Sequence, residues 1–204
     1  MSTEESTIIE PKSRCPWLDE SKADYVKYHD LEWGVPVYDD HKFFEFLILE
    51  SAQAGLSWYT ILKRRQGYQD AFSNFDVNKV AEYDEGKVEE LMLNPAIIRN
   101  RGKINAAINN ARLFIKIQNE YGSFSDYIWS YVKNKTIVNE YTNLSDYPTT
   151  SPESDALSKD LKNRGFKFIG STICYAYMQA CGMVNDHSLN CYKRKQIIEE
   201  YQQD

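Results

Sequence analysis

A continuous apolar run, Phe43 to Leu49, is the feature that most constrains the fold of this chain. Only Glu45 within it is charged, so nearly every face of a helix formed here must be covered by other parts of the protein. Glu50 follows directly, and a carboxylate beside such a run is costly to bury unless a cation or hydrogen-bond donors meet it. The run therefore predicts a buried helix that ends on an acid in an unusual environment.

A turn separates this helix from the next one. Gly55 can end a helix by taking a left-handed conformation, and Ser57 is a good N-cap for a helix that starts at Trp58. This arrangement leaves Leu56 exposed at the turn and places Trp58 in the first turn beyond it. A buried acid, a projecting apolar residue and an indole are thus expected close together.

Helical periodicity predominates along the chain and strand patterns are nearly absent, so the predicted fold class is all-α. A short extended piece is expected at Thr136–Val138, within an otherwise irregular stretch. We expect one domain over residues 13–192, between a disordered tail at 1–12 and a charged tail at 193–204. The predicted helices cover residues 19–29, 40–54, 58–72, 76–80, 84–93, 103–121, 126–132, 154–165 and 170–181.

Composition narrows the class of protein. The net charge is −6 and the isoelectric point is about 5.2, which argues against bulk nucleic-acid binding but leaves room for a local basic face. No apolar run approaches the roughly 20 residues of a membrane helix, and the N-terminus lacks the plan of a signal peptide. We expect a cytoplasmic protein without disulfides, in which Cys174 and Cys181 are buried small hydrophobes.

Two pairs of possible metal ligands lie near the two ends of the chain. His187 and Cys191 are four residues apart, so they can share one face of a helix or turn, and Cys15 and His29 form a second pair. Two cysteines and two histidines are a usual composition for a tetrahedral structural zinc site. Spacing alone leaves the alternative open, in which these residues are buried cysteines and surface histidines, because the 15–29 separation is not a standard finger spacing.

A helix, a short hairpin and a second helix are expected over residues 84–121, with the bend at 97–102. The positive N-terminus of the second helix can present backbone N–H groups to a phosphate. Arg99, Arg101 and Lys103 crowd this bend and could form a local basic face on an acidic protein. An ordinary helical hairpin with solvated charges fits the same pattern equally well.

Four motifs that occur in order along the chain are specific enough to suggest a family. They are Tyr28–Asp30 with Glu32–Pro36, Gln53–Trp58, Ile97–Ile104, and Arg164–Phe168 continuing through Gln179–Gly182 to Asn185–His187. Together they resemble the 3-methyladenine DNA glycosylase I family, the constitutive bacterial type within the helix-hairpin-helix superfamily, over about residues 14–191. The chain departs from the family pattern at two places. It has Ala96 where the family often has Gly, and it has Glu50-Ser51-Ala52 where some relatives carry Gly and Gln.

The resemblance implies a set of functional residues. Glu50 takes the place of the pocket carboxylate that binds and orients the base, and Leu56 that of the residue that plugs the gap left in the duplex. One structural Zn²⁺ per chain is implied, with the ligands Cys15, His29, His187 and Cys191. The implied base-binding residues are Tyr28, Trp58, Tyr25, Trp17 and Trp33, and the expected DNA-binding residues besides Leu56 are Arg99, Arg101, Gly102 and Lys103.

The activity that the resemblance implies is hydrolytic excision of N3-methyladenine from double-stranded alkylated DNA, without strand cleavage, by a monomer. The methylated base is positively charged, and a carboxylate among aromatic rings suits a cation. Whether Glu50 also activates water is open, and Asp126, the nearest candidate for a second catalytic acid, is more simply a helix cap.

Two rival interpretations remain at the level of sequence. One is a non-enzymatic, zinc-stabilised helical DNA-binding protein, and the other is a zinc-stabilised interaction domain that binds no nucleic acid. The feature that discriminates among them is the combination of Glu50 and aromatic residues beside the exposed Leu56. A protein that only binds DNA has no need for a carboxylate there, because it repels phosphate.

Overall fold

The structure, a computed structural model, describes residues 12–201 and confirms the helical fold class. The predicted disordered tail at 1–12 falls, apart from Lys12, outside the described residues. No helix within 12–201 is both long and apolar enough to cross a membrane. The helices are α1 (Ala23–Leu31), α2 (Asp40–Gln53), α3 (Trp58–Leu62), α4 (Arg65–Ala71), α5 (Val77–Ala81), α6 (Glu85–Leu93), α7 (Arg101–Tyr121), α8 (Phe124–Trp129), α9 (Pro152–Asn163), α10 (Ser171–Ala180) and α11 (Tyr192–Tyr201).

Helix α2 lies at the centre and packs against α3, α4, α7, α8 and α10. Phe43 and Phe44 are completely buried; the Phe44 ring lies 5.3 Å from that of Phe114 in α7, and Tyr177 of α10 donates a hydrogen bond of 2.8 Å to the Phe43 carbonyl. Burying each such side chain contributes about 1.5–3 kcal/mol. The prediction of a buried helix is confirmed, and Asp39 caps it by accepting hydrogen bonds from the backbone N–H groups of His41 and Lys42.

Two predicted helices differ from the observed ones. The first begins at Ala23 and not at residue 19, because the Asp19 carboxylate accepts hydrogen bonds from the backbone N–H and the hydroxyl of Ser21 and closes a separate turn. The predicted helix over 58–72 is interrupted, because Arg64 leaves the helical conformation at ψ 3°. After this break, the Arg65 guanidinium binds both Glu32 and Glu45, at 2.6–2.8 Å.

The C-terminal segment, expected as a charged tail from residue 193, forms helix α11 instead. Ile197 is completely buried in it, although the segment around it is rich in lysine, arginine and glutamate. The start of α11 also meets the N-terminal segment, since the Tyr192 N–H donates to the Ser13 carbonyl at 3.1 Å. Two isoleucines within a strongly charged segment give little signal in the sequence, and the burial of Ile197 depends on a partner surface far away in the chain.

Two short strands tie distant segments together. β1 (Ile137–Val138) pairs in parallel with β2 (Val184–Asn185), and the extended piece expected at residues 136–138 is thereby confirmed. The remaining short elements of the described chain are 3₁₀ helices at Ser73–Phe75, Ser130–Val132 and Leu144–Asp146. The pairing places the irregular segment after β1 beside the segment that contains His187.

Asp40 joins α2 to the beginning of α8 and gives a test of the fold. Its carboxylate accepts the N–H groups of Phe124 and Ser125 at 2.9 and 2.8 Å, and the side-chain amide of Gln118 at 2.7 Å. We expect Asp40→Ala to lower the free energy of unfolding by about 1–3 kcal/mol, because charge-assisted capping bonds are lost. Urea denaturation measures this change.

Asp126 supplies a matched control in the same helix. It lies exposed in the first turn of α8, and the cap of that helix is Ser123. Asp126→Ala should cost less than about 1 kcal/mol, since only an exposed interaction with the helix dipole is removed. Equal losses for the two variants would contradict the role given to Asp40.

Candidate functional site

The turn between α2 and α3 is built as the sequence predicts. Gly55 has φ +78°, the left-handed conformation that favours glycine. The Ser57 hydroxyl accepts the N–H of Thr60 and caps α3. Leu56 lies at the turn with 40% of its surface exposed. An apolar side chain therefore projects into solvent from a turn held rigidly between two helices.

A cavity of about 340 Å³ opens beside this turn. The structure brings Glu50 and all five predicted base-binding aromatic residues together around it. The other lining residues come from the last turn of α2, from the segment after β1 and from α10. The full lining is Trp17, Tyr25, Tyr28, Trp33, Glu50, Gln53, Trp58, Leu144, Tyr147, Pro148, Thr149, Ala176 and Gln179.

Glu50 is buried without a counter-charge. Only 2% of its surface is exposed, and no Lys or Arg of the described chain lines the cavity. Burial raises the pKa of Glu50 from its usual 4.5 to about 8. Burial, together with the nearby Glu50 carboxylate, also raises the pKa of Tyr28 well above its usual value, so this hydroxyl stays protonated. In the empty cavity at neutral pH, Glu50 is therefore mostly in its neutral form.

The aromatic rings form two neighbouring groups. Tyr28 and Trp58 have ring centroids 5.2 Å apart and tilted by 43°, next to Glu50. Trp17 meets Trp33 edge-on at 4.8 Å and Tyr25 at 5.3 Å. These rings give the wall of the cavity flat apolar surfaces, between which a few polar atoms are placed.

Several polar atoms around the cavity lack a partner. Among the described residues, Glu50 Oε2, Trp17 Nε1 and Trp58 Nε1 are buried and make no hydrogen bond. Buried polar groups are nearly always paired, so such a concentration at one place points to a ligand or ordered water. The cavity is therefore a binding site with both donors and acceptors to offer.

Part of this lining was not identified from the sequence. Leu144, Tyr147, Pro148 and Thr149 belong to a segment predicted only as loop, yet they form one side of the cavity. Its only local signals are turn residues and a proline, which do not indicate a binding role. Gln179 lies within a motif that carries the family resemblance, but nothing in the sequence assigned it a role.

The two cysteines and two histidines of the predicted metal site meet beside the cavity. The ligand atoms of Cys15, His29, His187 and Cys191 all lie within 4.8 Å of one another, and all four residues are buried. Cys15 Sγ and Cys191 Sγ lie 3.3 and 3.4 Å from His187 Nδ1, and Cys191 Sγ lies 3.6 Å from His29 Nε2. A tetrahedral zinc ion with bonds of about 2.0–2.3 Å requires sulfur–nitrogen separations of roughly 3.5 Å. The donor set fits such an ion.

In His29 and His187, the ring nitrogen that points away from the cluster has a hydrogen-bond partner. His29 Nδ1 lies 2.8 Å from Asp30 Oδ1, and His187 Nε2 lies 2.9 Å from the Trp33 carbonyl. Carboxylate and carbonyl partners of this kind orient metal-binding imidazoles and direct the other nitrogen at the ion. Gly34 makes room for this arrangement, since a Cβ there would lie 3.0 Å from the His187 ring, at φ +77°.

The basic residues predicted to bind DNA have different environments. Arg99 and Gly102 are exposed near the start of α7, as a surface role requires. Arg101 pairs with Glu85 and Glu89 of α6. Lys103 points inward, donating hydrogen bonds to the carbonyls of Ala52 and Ala54 at 2.8 and 2.7 Å.

The inward position of Lys103 connects the hairpin to the exposed turn. Its ammonium binds the carbonyls at the end of α2, next to Gly55 and Leu56, where a cation also offsets the helix dipole. Burial lowers the pKa of this lysine. Lys103 therefore fixes the turn that carries Leu56, a role that the sequence did not reveal.

This arrangement can hold a flat ring between aromatic faces and place a carboxyl group at its edge. A cationic ring would favour the ionised carboxylate, because charge attraction is strong away from water and ring faces attract cations. Buried neighbouring polar atoms would fix the orientation of the ring. The fold and site thus define a helical protein with a cavity suited to a planar, positively charged group.

Comparisons with known proteins agree with this class. The family described as methyladenine glycosylase matches residues 17–195. The chain is 51% identical over 178 residues to the DNA-3-methyladenine glycosylase 1 of Escherichia coli (strain K12), covering 87% of this chain and 95% of that protein. It is 46% identical to the DNA-3-methyladenine glycosylase of Haemophilus influenzae, with 88% and 96% covered.

Solved structures show the same relationship. A crystal structure of 3-methyladenine DNA glycosylase I is 48% identical with a TM-score of 0.86, covering 88% of this chain and 98% of that one. The enzyme from Staphylococcus aureus, solved to describe recognition of 3-methyladenine, is 40% identical with a TM-score of 0.83, covering 85% and 92%. The chain belongs to the methyladenine glycosylase family.

The pKa of Glu50 makes stability depend on pH. The unfolded chain ionises this group near 4.5 and the folded chain near 8, so the folded state binds the extra proton between these values. Stability from this group is therefore lost as the pH rises. Relative to the natural chain, Glu50→Gln should gain on the order of 3 kcal/mol in free energy of unfolding from pH 5 to pH 8.

Urea denaturation of both proteins across this pH range measures the difference. Contributions from the Cys and His cluster cancel, because both proteins contain it. Parallel pH dependences for Glu50→Gln and the natural chain would contradict the raised pKa.

Proposed function

We propose that this protein is a DNA repair glycosylase that flips N3-methyladenine out of alkylated double-stranded DNA and hydrolyses its glycosidic bond. Glu50, buried without a counter-charge among aromatic rings, is the observation that carries the proposal. A cationic base supplies the missing positive charge, which a neutral adenine does not. Membership of the methyladenine glycosylase family supports the same substrate class.

The rings give the base its other contacts. Tyr28, Trp58, Tyr25, Trp17 and Trp33 stack against or border the base, and cation–π attraction adds to the charge attraction of Glu50. The extruded base leaves a gap in the duplex, which the exposed Leu56 fills as an apolar wedge. The two hydrogen bonds that Lys103 donates hold the turn in place when Leu56 enters the duplex.

Hydrolysis needs little help from the protein. Methylation places a positive charge on the leaving base, which weakens the glycosidic bond before any catalytic group acts. Glu50 is the only carboxylate lining the cavity among the described residues, and it binds and orients the base. No lysine of residues 12–201 lines the cavity, so no amine is available for a covalent imine, and excision proceeds without strand cleavage.

The DNA backbone is bound at the hairpin. We assign α6, residues 94–100 and α7 to a helix-hairpin-helix motif whose second helix presents its N-terminus to a phosphate. Asn100 already accepts the Lys103 N–H, which leaves the N–H groups of Arg101 and Gly102 for the phosphate. Arg99 adds a charge at the surface, and Arg101 exchanges its acidic partners for phosphate. The protein acts as a monomer in the cytoplasm, where its substrate lies.

One structural Zn²⁺ completes the fold. Cys15, His29, His187 and Cys191 supply four protein ligands, which leaves no coordination position for chemistry. The cluster clamps the N-terminal segment to the segment before α11. It also fixes Trp33, whose carbonyl binds His187 and whose ring lines the cavity.

Excision by Glu50→Gln tests the proposed function. The glutamine keeps the shape of the side chain but cannot offer a negative charge, so we expect single-turnover release of 3-methyladenine from methylated DNA to fall at least about a hundredfold. Chromatography of the released bases measures the rate. The variant is also expected to be stable at pH 8, so lost activity would not reflect unfolding.

Two results would contradict the proposal. Near-normal release by Glu50→Gln would remove Glu50 from the mechanism. No release of methylated bases by the natural chain, with retained binding to duplex DNA, would favour the non-enzymatic DNA-binding protein.

Metal content tests the zinc site. We expect about one zinc per folded chain by elemental analysis, and a loss of several kcal/mol of stability when a chelator removes it. Cys191→Ser should lose the metal. Cys174→Ser is the matched control, because Cys174 is equally buried but its thiol contacts the Ile169 carbonyl, away from the cluster. Folded natural protein with much less than one zinc per chain would contradict the site.

A further inference from the structure

The side chain of Gln179 in α10 lines the cavity, but only one end of its amide is used by the fold. Its Nε2 donates a hydrogen bond of 2.8 Å to Asp186 Oδ2. No described residue donates a hydrogen bond to its Oε1, and this oxygen keeps part of its surface accessible. Gln179 Oε1 therefore remains accessible from the cavity.

Asp186 fixes the orientation of this amide. Its carboxylate is completely buried and accepts hydrogen bonds from the Tyr175 hydroxyl at 2.7 Å and the Asn139 side-chain amide at 2.7 Å. An ionised carboxylate only accepts hydrogen bonds. Rotating the Gln179 amide by 180° would place two acceptor oxygens against each other, so the NH₂ group must face Asp186.

Two other polar side chains of the cavity, Glu50 and Gln53, are not fixed as hydrogen-bond acceptors. Glu50 is an acceptor when ionised and a donor when protonated, and its pKa of about 8 allows both forms near neutral pH. Gln53 also lines the cavity, but no hydrogen bond to a described residue fixes its amide. Among the side-chain amides that line the cavity, only that of Gln179 is held so that its oxygen, an acceptor, faces the ligand space.

We propose that Gln179 is a specificity-determining residue whose fixed carbonyl oxygen accepts a hydrogen bond from the exocyclic amine of the flipped base and repels a carbonyl oxygen at that position. This assignment rests on the proposed function. It predicts that 3-methyladenine, which carries an amine on C6, is preferred over 3-methylguanine, which carries an oxygen there. Both bases carry the same methyl group on N3, so methylation itself does not separate them.

The expected preference follows from the cost of unpaired polar groups. A site built to accept a hydrogen bond rejects an analogue that cannot donate one, because buried acceptors are then left facing each other. We expect the natural chain to bind 3-methyladenine on the order of tenfold to a hundredfold more tightly than 3-methylguanine. Asp186 acts here as a positioning residue, since it touches Gln179 and not the base.

Binding of the two free bases tests the proposal without requiring catalysis. Titration of each base against the zinc-loaded full chain quenches the fluorescence of Trp17, Trp33 and Trp58, which line the cavity. In Gln179→Met, which has a similar volume but no acceptor amide, we expect binding of 3-methyladenine to weaken about tenfold and that of 3-methylguanine to strengthen, because the repelling oxygen is removed. The preference should therefore collapse.

Two further variants separate this role from general damage. Gln53→Met carries the same change in the same cavity and should leave the ratio of the two affinities unchanged. Asp186→Asn can donate to Gln179 Oε1, which frees the amide to rotate, so the preference should fall even though Gln179 is intact. This second variant keeps the test decisive if Gln179→Met does not fold.

The possible outcomes are distinct. A preference that survives in both Gln179→Met and Asp186→Asn would overturn the assignment and leave the proposed function intact. If the natural chain binds neither base and releases none from methylated DNA, the proposed function is overturned, and this assignment with it. Collapse of the preference in Gln179→Met, with an unchanged ratio in Gln53→Met, supports it.

Discussion

The burial of Glu50 without a counter-charge is the interaction on which the site depends. Helix α2 is apolar enough to carry this carboxyl group into the interior, since the packing of residues such as Phe43 and Leu49 offsets the cost. Lys103 of the hairpin does not line the cavity but binds the carbonyls at the end of the helix. The fold thus leaves Glu50 without a cation of its own, so that a cationic ligand can favour its ionised form.

The cluster of two cysteines and two histidines is connected to the cavity through shared residues. Trp33 places its ring in the cavity and its carbonyl on His187, while Asp186, next to His187 in the chain, holds the amide of Gln179. A metal ion held by these four residues would join the two ends of the chain and orient two sides of the cavity. It would stabilise the fold because the four residues are far apart in sequence and their closure restricts the unfolded chain.

Much of the fold and of the site could be predicted from the chain alone. The buried α2, the left-handed Gly55, the Ser57 cap and the exposed Leu56 all follow from local rules of helix patterning and capping. The family resemblance also identified Glu50 and five of the aromatic residues that line the cavity, though not Tyr147. Such features are local, because a helix end or a turn depends mainly on the residues within a few positions of it.

The amino-acid sequence by itself determined the helical class, the central apolar helix and the residue types that bind a cationic ring. Only the tertiary structure decided that residues 144–149 close one side of the cavity, that α11 packs through Ile197, and that Lys103 turns inward. The same holds for the fixed amide of Gln179. Each of these depends on contacts between segments distant in the chain, and local periodicity contains no information on which distant surface a loop or a long side chain will meet.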